Sequence, residues 1–385
     1  MVNMVRRQFW LQKIAEAWKT RNVIWFPGVR RAGKTSICRG LENTEYFDCE
    51  LPRIRRMMDD PERFLGGLKG KQLVLDEIHR LENPSELLKI AADYFPGTRV
   101  LATGSSTLGA TRKFRDTLTD RKAELWLPPL CLADLGDFLR PDLEARMLRG
   151  GLPPFFLPER LPEEGFQEWM DAFWAKDIQE LFRLERRHSF LKFVEMILAQ
   201  SGGIFEATHF AAPCEISRQT VSNYLSVLEA TFVAHVIRPY SSRRPAEIVR
   251  APKVYGFDTG FVAYYRNWDR LRQEDRGILW EHLVLNEMHA AGKRRWVRYW
   301  RDKQGHEIDF VLVQRGKPPL AVECKWSASD FDGVNLRSFR LLHPQGENLV
   351  VASDVSRSYT REFSGMPATY VSLAEFTDRI TGKTA

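Results

Sequence analysis

Short apolar runs punctuate the first third of the chain, with room for a helix between most of them. Val23-Ile-Trp-Phe26 comes first and ends in a glycine-rich turn, from which a helix is expected to start at Gly33. Glu45-Tyr-Phe-Asp48, Leu73-Val-Leu-Asp76 and Val100-Leu-Ala-Thr103 follow, and Glu124-Leu-Trp-Leu127 is a fifth. Strands alternating with helices predict a parallel sheet covered on both faces. A stretch rich in proline and glycine then marks a boundary, with Pro128-Pro-Leu130 followed by Gly150-Gly-Leu-Pro-Pro-Phe-Phe-Leu-Pro158.

Beyond about residue 160 the pattern turns helical. A short helix after Thr208 stops at Pro213, Ser217 is placed to cap the next one, and Val221, Tyr224, Leu225 and Leu228 recur at helical spacing from Arg218 onward. A β-branched run from Thr231 to Tyr240, a polar loop and a strand around Lys253 to Phe257 complete the order helix, turn, helix, hairpin, which is that of a winged helix. From Ile278 a helix precedes strands around Trp296–Trp300, Glu307–Val313 and Leu320–Trp326, so a second α/β unit closes the chain. The expected domains are 1–145, 146–265 and 266–385.

Composition changes this reading little. The 385 residues are 44% hydrophobic and 28% charged, enough core for two or three domains under an ordinary soluble surface. No apolar run suits a bilayer or a signal peptide, and five scattered cysteines without a CxxC pair argue against a disulfide framework or zinc ribbon. A cytoplasmic protein with no membrane association is expected. Charge adds more. The net value of +7 is modest, but Lys293, Arg294, Arg295, Arg298, Arg301 and Lys303 cluster around Trp296, Tyr299 and Trp300 against a single acid, Asp302. Arg243 and Arg244 lie in the loop that would form the wing, and Arg218 opens the candidate recognition helix. This pattern points to a polyanion, and Arg218, Arg243, Arg244, Arg294, Arg295 and Arg298 are the candidate DNA contacts.

The most specific local signal is Gly28-Val-Arg30-Arg31-Ala32-Gly33-Lys34-Thr35, a G-x-x-x-x-G-K-[ST] loop between a strand and a helix. Backbone amides from Gly28 to Ser36 would face nucleotide phosphates, Lys34 would reach the β- and γ-phosphates, and Thr35 would hold Mg²⁺. Asp76, at the end of its apolar strand, is placed for the Mg²⁺ shell, and Glu77 is placed to activate the attacking water. Ser105 and Ser106 end another run and could sense the γ-phosphate. Arg121 is the candidate cation for the charge developing in phosphoryl transfer.

Taken with these motifs, the chain resembles the bacterial and archaeal AAA+ ATPases whose core is followed by a DUF4143 region. Gly28 to Thr35, Leu73 to His79 and Leu101 to Ser106 carry the resemblance in the core. Further on, Gly150 to Pro153, Ala175 to Ile178, Lys253 to Gly260, Tyr299 to Leu312 and Ala321 to Lys325 carry it. The resemblance implies a P-loop AAA+ core, a winged-helix middle and a nuclease-like end of the PD-(D/E)XK type, assembled as a homo-oligomeric ring, expected to be a hexamer. Asp120-Arg121 stands where that family commonly has Gly-Arg.

In Glu307-Ile-Asp309-Phe-Val-Leu312 the two acids alternate with apolar residues and so share one face of a strand. Glu323 and Lys325 share a face of the next. A hairpin would bring Asp309, Glu323 and Lys325 together, where the carboxylates could hold a second Mg²⁺ or Mn²⁺. This resembles the PD-(D/E)XK signature, with Glu281 on the preceding helix as the additional acid. The function expected is an ATP-hydrolysing motor that binds and remodels duplex or branched DNA. An ATP-licensed, metal-dependent nuclease and a nucleotide switch that binds a protein partner are the alternatives.

Overall fold

Five strands rich in valine, isoleucine and leucine build the first sheet of the computed structural model, which describes residues 5–105, 118, 120–241, 251–363 and 365–382. They are β1 (Val23–Pro27), β2 (Thr44–Asp48), β3 (Gln72–Asp76), β4 (Arg99–Gly104) and β5 (Lys122–Glu124), all parallel, in the order β2-β3-β4-β1-β5. β1 is buried along its whole length, as a parallel strand covered on both faces must be. β4 stands between β1 and β3, so the glycine-rich turn and the acidic strand end flank the end of β4. The Glu124-Leu-Trp-Leu127 run is a shorter strand than its apolar character predicts. The ladder stops at Glu124, and beyond it Leu127 makes only an isolated bridge with Gly28 before two prolines that lack amide donors. That bridge leaves no room at Gly28, where a Cβ would stand 2.6 Å from the Leu127 carbonyl oxygen.

The chain divides into two compact units. The first comprises Met1–Asp142, Gly151–Leu191 and Asn223–Val233, and the second Leu143–Gly150, Lys192–Ser222 and Ala234–Ala385. In the first, helix Gln8–Thr20 buries Trp10, Ile14 and Trp18 at four-residue spacing, a single apolar stripe. Helix Glu163–Ala172 runs on into a π-helical turn, Phe173–Ile178, where the Trp169 and Phe173 rings stack.

In the second unit, helix Ala207–Ala211 is followed by the opening turns of helix Arg218–Ala230, whose start is capped as expected: Ser217 Oγ accepts from the Thr220 amide at 3.1 Å. An antiparallel sheet of β6 (Gly203–Ile204), β7 (Ala234–Ile237) and β8 (Lys253–Gly256), in the order β6-β8-β7, accompanies them. The second α/β layer holds β9 (Val297–Arg301), β10 (Glu307–Leu312), β11 (Leu320–Lys325), β12 (Asn348–Ala352), β13 (Tyr359–Phe363) and β14 (Met366–Val371), in the order β13-β14-β12-β11-β10-β9. β9, β10 and β11 pair antiparallel, β11, β12 and β14 parallel. Helix Gln273–Ala290 is buried on every side from Leu279 onward, and Trp280 Nε1 donates to the Val351 carbonyl at 2.9 Å. Of the two tryptophans in the basic cluster, Trp300 is core against Phe339, while Trp296 is 40% exposed. No helix among the described residues is long and apolar enough to cross a membrane.

Three histidines are buried in this second unit. The Ser201 hydroxyl lies 2.6 Å from His282 Nε2 and the Ile278 carbonyl 2.7 Å from its Nδ1, while the His235 and His289 rings meet edge to face. Burial pushes all three below the ordinary histidine value, His282 to about 4. The unfolded chain therefore takes up protons that the folded chain refuses. Stability is whole above about pH 6.5 and is lost as pH falls toward 4, with His282 alone accounting for roughly 3 kcal/mol. Urea midpoints should fall between pH 7 and pH 5, and less steeply in a folded His282→Gln variant. A flat profile would contradict neutral burial of these rings.

Candidate active site

The glycine-rich turn after β1 is wound by two left-handed residues, Arg31 at φ 64° and Gly33 at φ 98°, and opens into helix Lys34–Arg39. Lys34 lies across its own loop, donating to the carbonyls of Gly28 at 2.8 Å and Val29 at 3.2 Å. The loop is held from two sides. Arg7 donates to the Ala32 carbonyl at 2.8 Å and makes a two-pronged pair with Asp134 at 2.7 and 2.6 Å, all of it buried. Burial works against the Asp134 charge, yet Arg7 outweighs it and lowers the carboxyl. On the other side Trp169 Nε1 donates to the Arg30 carbonyl at 3.1 Å, and Arg30 Nε pairs with Asp177 of the π-helical turn at 2.8 Å. Arg31 reaches toward Glu168, 3.9 Å away. The Arg30 and Arg31 side chains thus face protein carboxylates, and Ser36 lies half-buried in the helix that follows.

Asp76 is the focus of the site. Thr35 Oγ1 donates to its Oδ2 at 2.8 Å, Tyr46 from β2 donates to the same oxygen, and Thr103 from β4 donates to Oδ1. Thr103 also accepts from the Glu77 amide at 3.0 Å, so one hydroxyl fixes both acids. Glu77 itself is left-handed at φ 53°, which turns it out of the strand line. Its Oε2 lies 3.2 Å from His79 Nδ1. Burial alone would raise the Glu77 carboxyl, but His79, Lys34 and Arg30 overcome it and hold it at about 2, so it stays ionised. The Ser105 hydroxyl is buried without a hydrogen-bond partner, a donor available at the end of β4. Ser106 lies outside the described residues.

These groups fit a nucleotide triphosphate with Mg²⁺. Lys34 and the loop would hold the phosphates, and Thr35 and Asp76 the metal, whose chemistry is to neutralise phosphate charge. Glu77 would orient a water, and Ser105 would report on the terminal phosphate. Sequence reasoning missed Tyr46, the Arg7–Asp134 pair, Trp169 and Asp177. Thr103 stood within a recognised run, but the two serines were preferred to it. Arg121 lies elsewhere. Lys122 pairs with Val23 at the start of β1, so Arg121 stands at the foot of the sheet, roughly 16 Å of strand from the phosphate loop. There Arg121 Nε donates to Asp93 at 2.7 Å.

The second acidic cluster forms as the hairpin predicts, with Phe310 opposite Val322. Lys325 Nζ lies 2.8 Å from Glu323 and 3.7 Å from Asp309, which also accepts from the Cys324 amide at 2.8 Å. Burial, then the Asp309 charge, push Glu323 up to about 8, and its Oε1 is buried without a partner. Glu281 faces a different lysine: Lys253 Nζ, from β8, lies 2.9 Å from Glu281 and 2.8 Å from Glu307, and Tyr255 also donates to Glu281. Among the described residues no three His, Cys, Asp or Glu side chains are arranged to hold a metal ion. Of the candidate DNA contacts, Arg218 and Arg295 are exposed, Arg294 and Arg298 are half-buried, and Arg298 is tied to the carbonyls of Arg295 and Val297. Arg243 and Arg244 lie outside the described residues.

Comparison with known proteins divides the chain in three. Residues 20–135 match the family described as AAA domain, 140–272 the domain of unknown function DUF8612, and 276–370 the domain of unknown function DUF4143. Uncharacterized proteins of Mycobacterium tuberculosis and Mycobacterium bovis are each 27% identical over 328 residues, spanning 82% of this chain and 73% of theirs. Among solved structures, a Walker-type ATPase of Pyrococcus abyssi is 14% identical, covering 68% of this chain and 96% of its own, with a TM-score of 0.44.

The nucleotide site separates under single substitutions. Lys34→Ala should abolish ATP binding. Glu77→Gln should keep binding and lose about 100-fold or more in turnover. Thr103→Val should keep binding and lose about 10- to 100-fold, because both acids lose their common tether. Nucleotide binding by fluorescence and steady-state phosphate release check all three, and wild-type turnover in Glu77→Gln would overturn its role.

Proposed function

This chain joins an AAA ATPase core to a C-terminal DUF4143 domain, and on that premise we propose that it is an ATP-hydrolysing motor that binds and remodels duplex or branched DNA as a hexameric ring. The observation that carries the DNA reading is the outward face of helix Arg218–Ala230. Val221, Tyr224, Leu225 and Leu228 are buried, while Arg218, Gln219, Ser222, Asn223 and Ser226 are exposed. Such a face is polar and rich in hydrogen-bonding groups, carries one cation near its start, and belongs to the second helix of a helix-turn-helix order. Arg243 and Arg244 follow in the connection between β7 and β8, where a wing would meet the phosphate backbone. Arg294 and Arg295 add charge before β9. Contacts of this kind are largely independent of sequence and weaken steeply with salt.

The ring reading is supported by the place of Arg121. At the foot of the sheet it is out of reach of its own phosphate loop, so it can meet a nucleotide only on a neighbouring copy. DNA cleavage licensed by ATP is a second reading, favoured by the convergence of Asp309, Glu323 and Lys325.

ATP turnover should rise on adding DNA at low salt, more with a four-way junction than with single strands. Arg218→Glu, or Arg243→Glu with Arg244→Glu, should remove that stimulation and leave basal turnover near wild type. Unchanged turnover with every DNA form, and no binding, would replace the motor with a switch that binds a protein partner.

Arg121→Ala should bind ATP without hydrolysing it, and mixing it with Lys34→Ala should restore part of the turnover. Absence of recovery in confirmed mixed assemblies would remove Arg121 from the neighbour's site.

A further inference from the structure

The acidic cluster of the DUF4143 domain differs in one respect from a pair of carboxylates awaiting a metal. A cation already stands among them. Lys253, only 4% exposed, bridges Glu281 at 2.9 Å and Glu307 at 2.8 Å. Tyr255, two residues along β8, donates to the same Glu281 oxygen, so that oxygen carries two donors. Glu307 is further satisfied by Arg301, 3.5 Å away across the β9–β10 pair. The neighbouring pair is bridged in the same way, Lys325 standing 2.8 Å from Glu323 and 3.7 Å from Asp309.

We propose that Glu281 and Glu307 form a latent divalent-cation site, which Lys253 keeps shut by supplying its own ammonium. The reasoning is electrostatic and steric together. A divalent ion binds carboxylate oxygens at little more than 2 Å, and one placed between Glu281 and Glu307 would occupy the volume of the ammonium. Two cations cannot share that volume. Lys253 cannot withdraw cheaply either, because it is buried and its departure would strip two carboxylates of their partner. The cluster therefore holds its shape without metal and is suited to a role other than hydrolysing phosphodiesters. Glu323 sets the limit of this closure: its Oε1 remains buried and unpartnered, a ligand still on offer beside the shut position.

Removing the ammonium while keeping the stem should open the site. The test is Mn²⁺ titration followed by electron paramagnetic resonance of the free ion. The full chain would carry Asp76→Asn, so that the nucleotide site does not contribute. With Lys253 intact, no saturable Mn²⁺ site sensitive to Glu281→Gln is expected. Lys253→Met should gain one equivalent bound tighter by roughly ten-fold or more, and adding Glu281→Gln should abolish it. A folded Lys253→Met variant that gains no Mn²⁺ site would overturn the proposal. So would one equivalent bound with Lys253 intact and lost with Glu281→Gln, a comparison that holds even if Lys253→Met does not fold.

Discussion

One carboxylate, Asp76, gathers three segments of the first sheet. The helix after the phosphate loop reaches it through Thr35, β2 through Tyr46 and β4 through Thr103. A buried carboxylate must be compensated, and there are two ways to do it. A cation neutralises it, whereas hydroxyls satisfy its lone pairs and leave the charge in place. Among the described residues the side chains that donate to Asp76 are these hydroxyls, so it can be desolvated and ordered while still offering full charge to a metal. Each hydrogen bond to a charged group is worth about 1.5–3 kcal/mol, enough for these contacts to fix the spacing of β2, β3 and β4 at their carboxyl ends.

The acidic cluster around β10 and β11 solves the same problem with lysines, and the chemistry differs accordingly. Lys253 and Lys325 cancel charge where threonine and tyrosine would preserve it. Two carboxylate sites on one chain are thus prepared for opposite ends, one to receive a cation and one already supplied.

Legibility from sequence followed the range of the interactions. The strands of the first sheet and the phosphate loop were readable because their signals lie within ten residues: an apolar run, a glycine turn, a lysine before a threonine. The hairpin that joins Asp309 to Glu323 was readable from alternation alone. The clamp on the phosphate loop was not, since Arg7 and Asp134 are 127 residues apart and neither stands in a motif. Lys253 was readable as part of a strand but not as a counter-ion, because its partners come from a helix and from a different sheet. Thr103, Ser105 and Ser106 are three hydroxyls at one strand end, and only the orientation of Thr103 at the close of β4 shows which one ties the acids. Alternation likewise could not say that Trp300 is core while Trp296 faces water.

The π-helical turn at Phe173–Ile178 carries a consequence for how this chain tolerates insertion and deletion. A turn of this kind is an α-helix with one residue too many. Trp169 lies before the extra residue and Asp177 beyond most of the wide turn, and both meet Arg30, one at its carbonyl and one at its guanidinium. Deleting a single residue from the turn would restore regular winding and swing everything after it by about 100° around the helix axis. Asp177 would then leave Arg30 while Trp169 stayed. A one-residue gap here, harmless in most helices of this length, would therefore be read at the nucleotide loop.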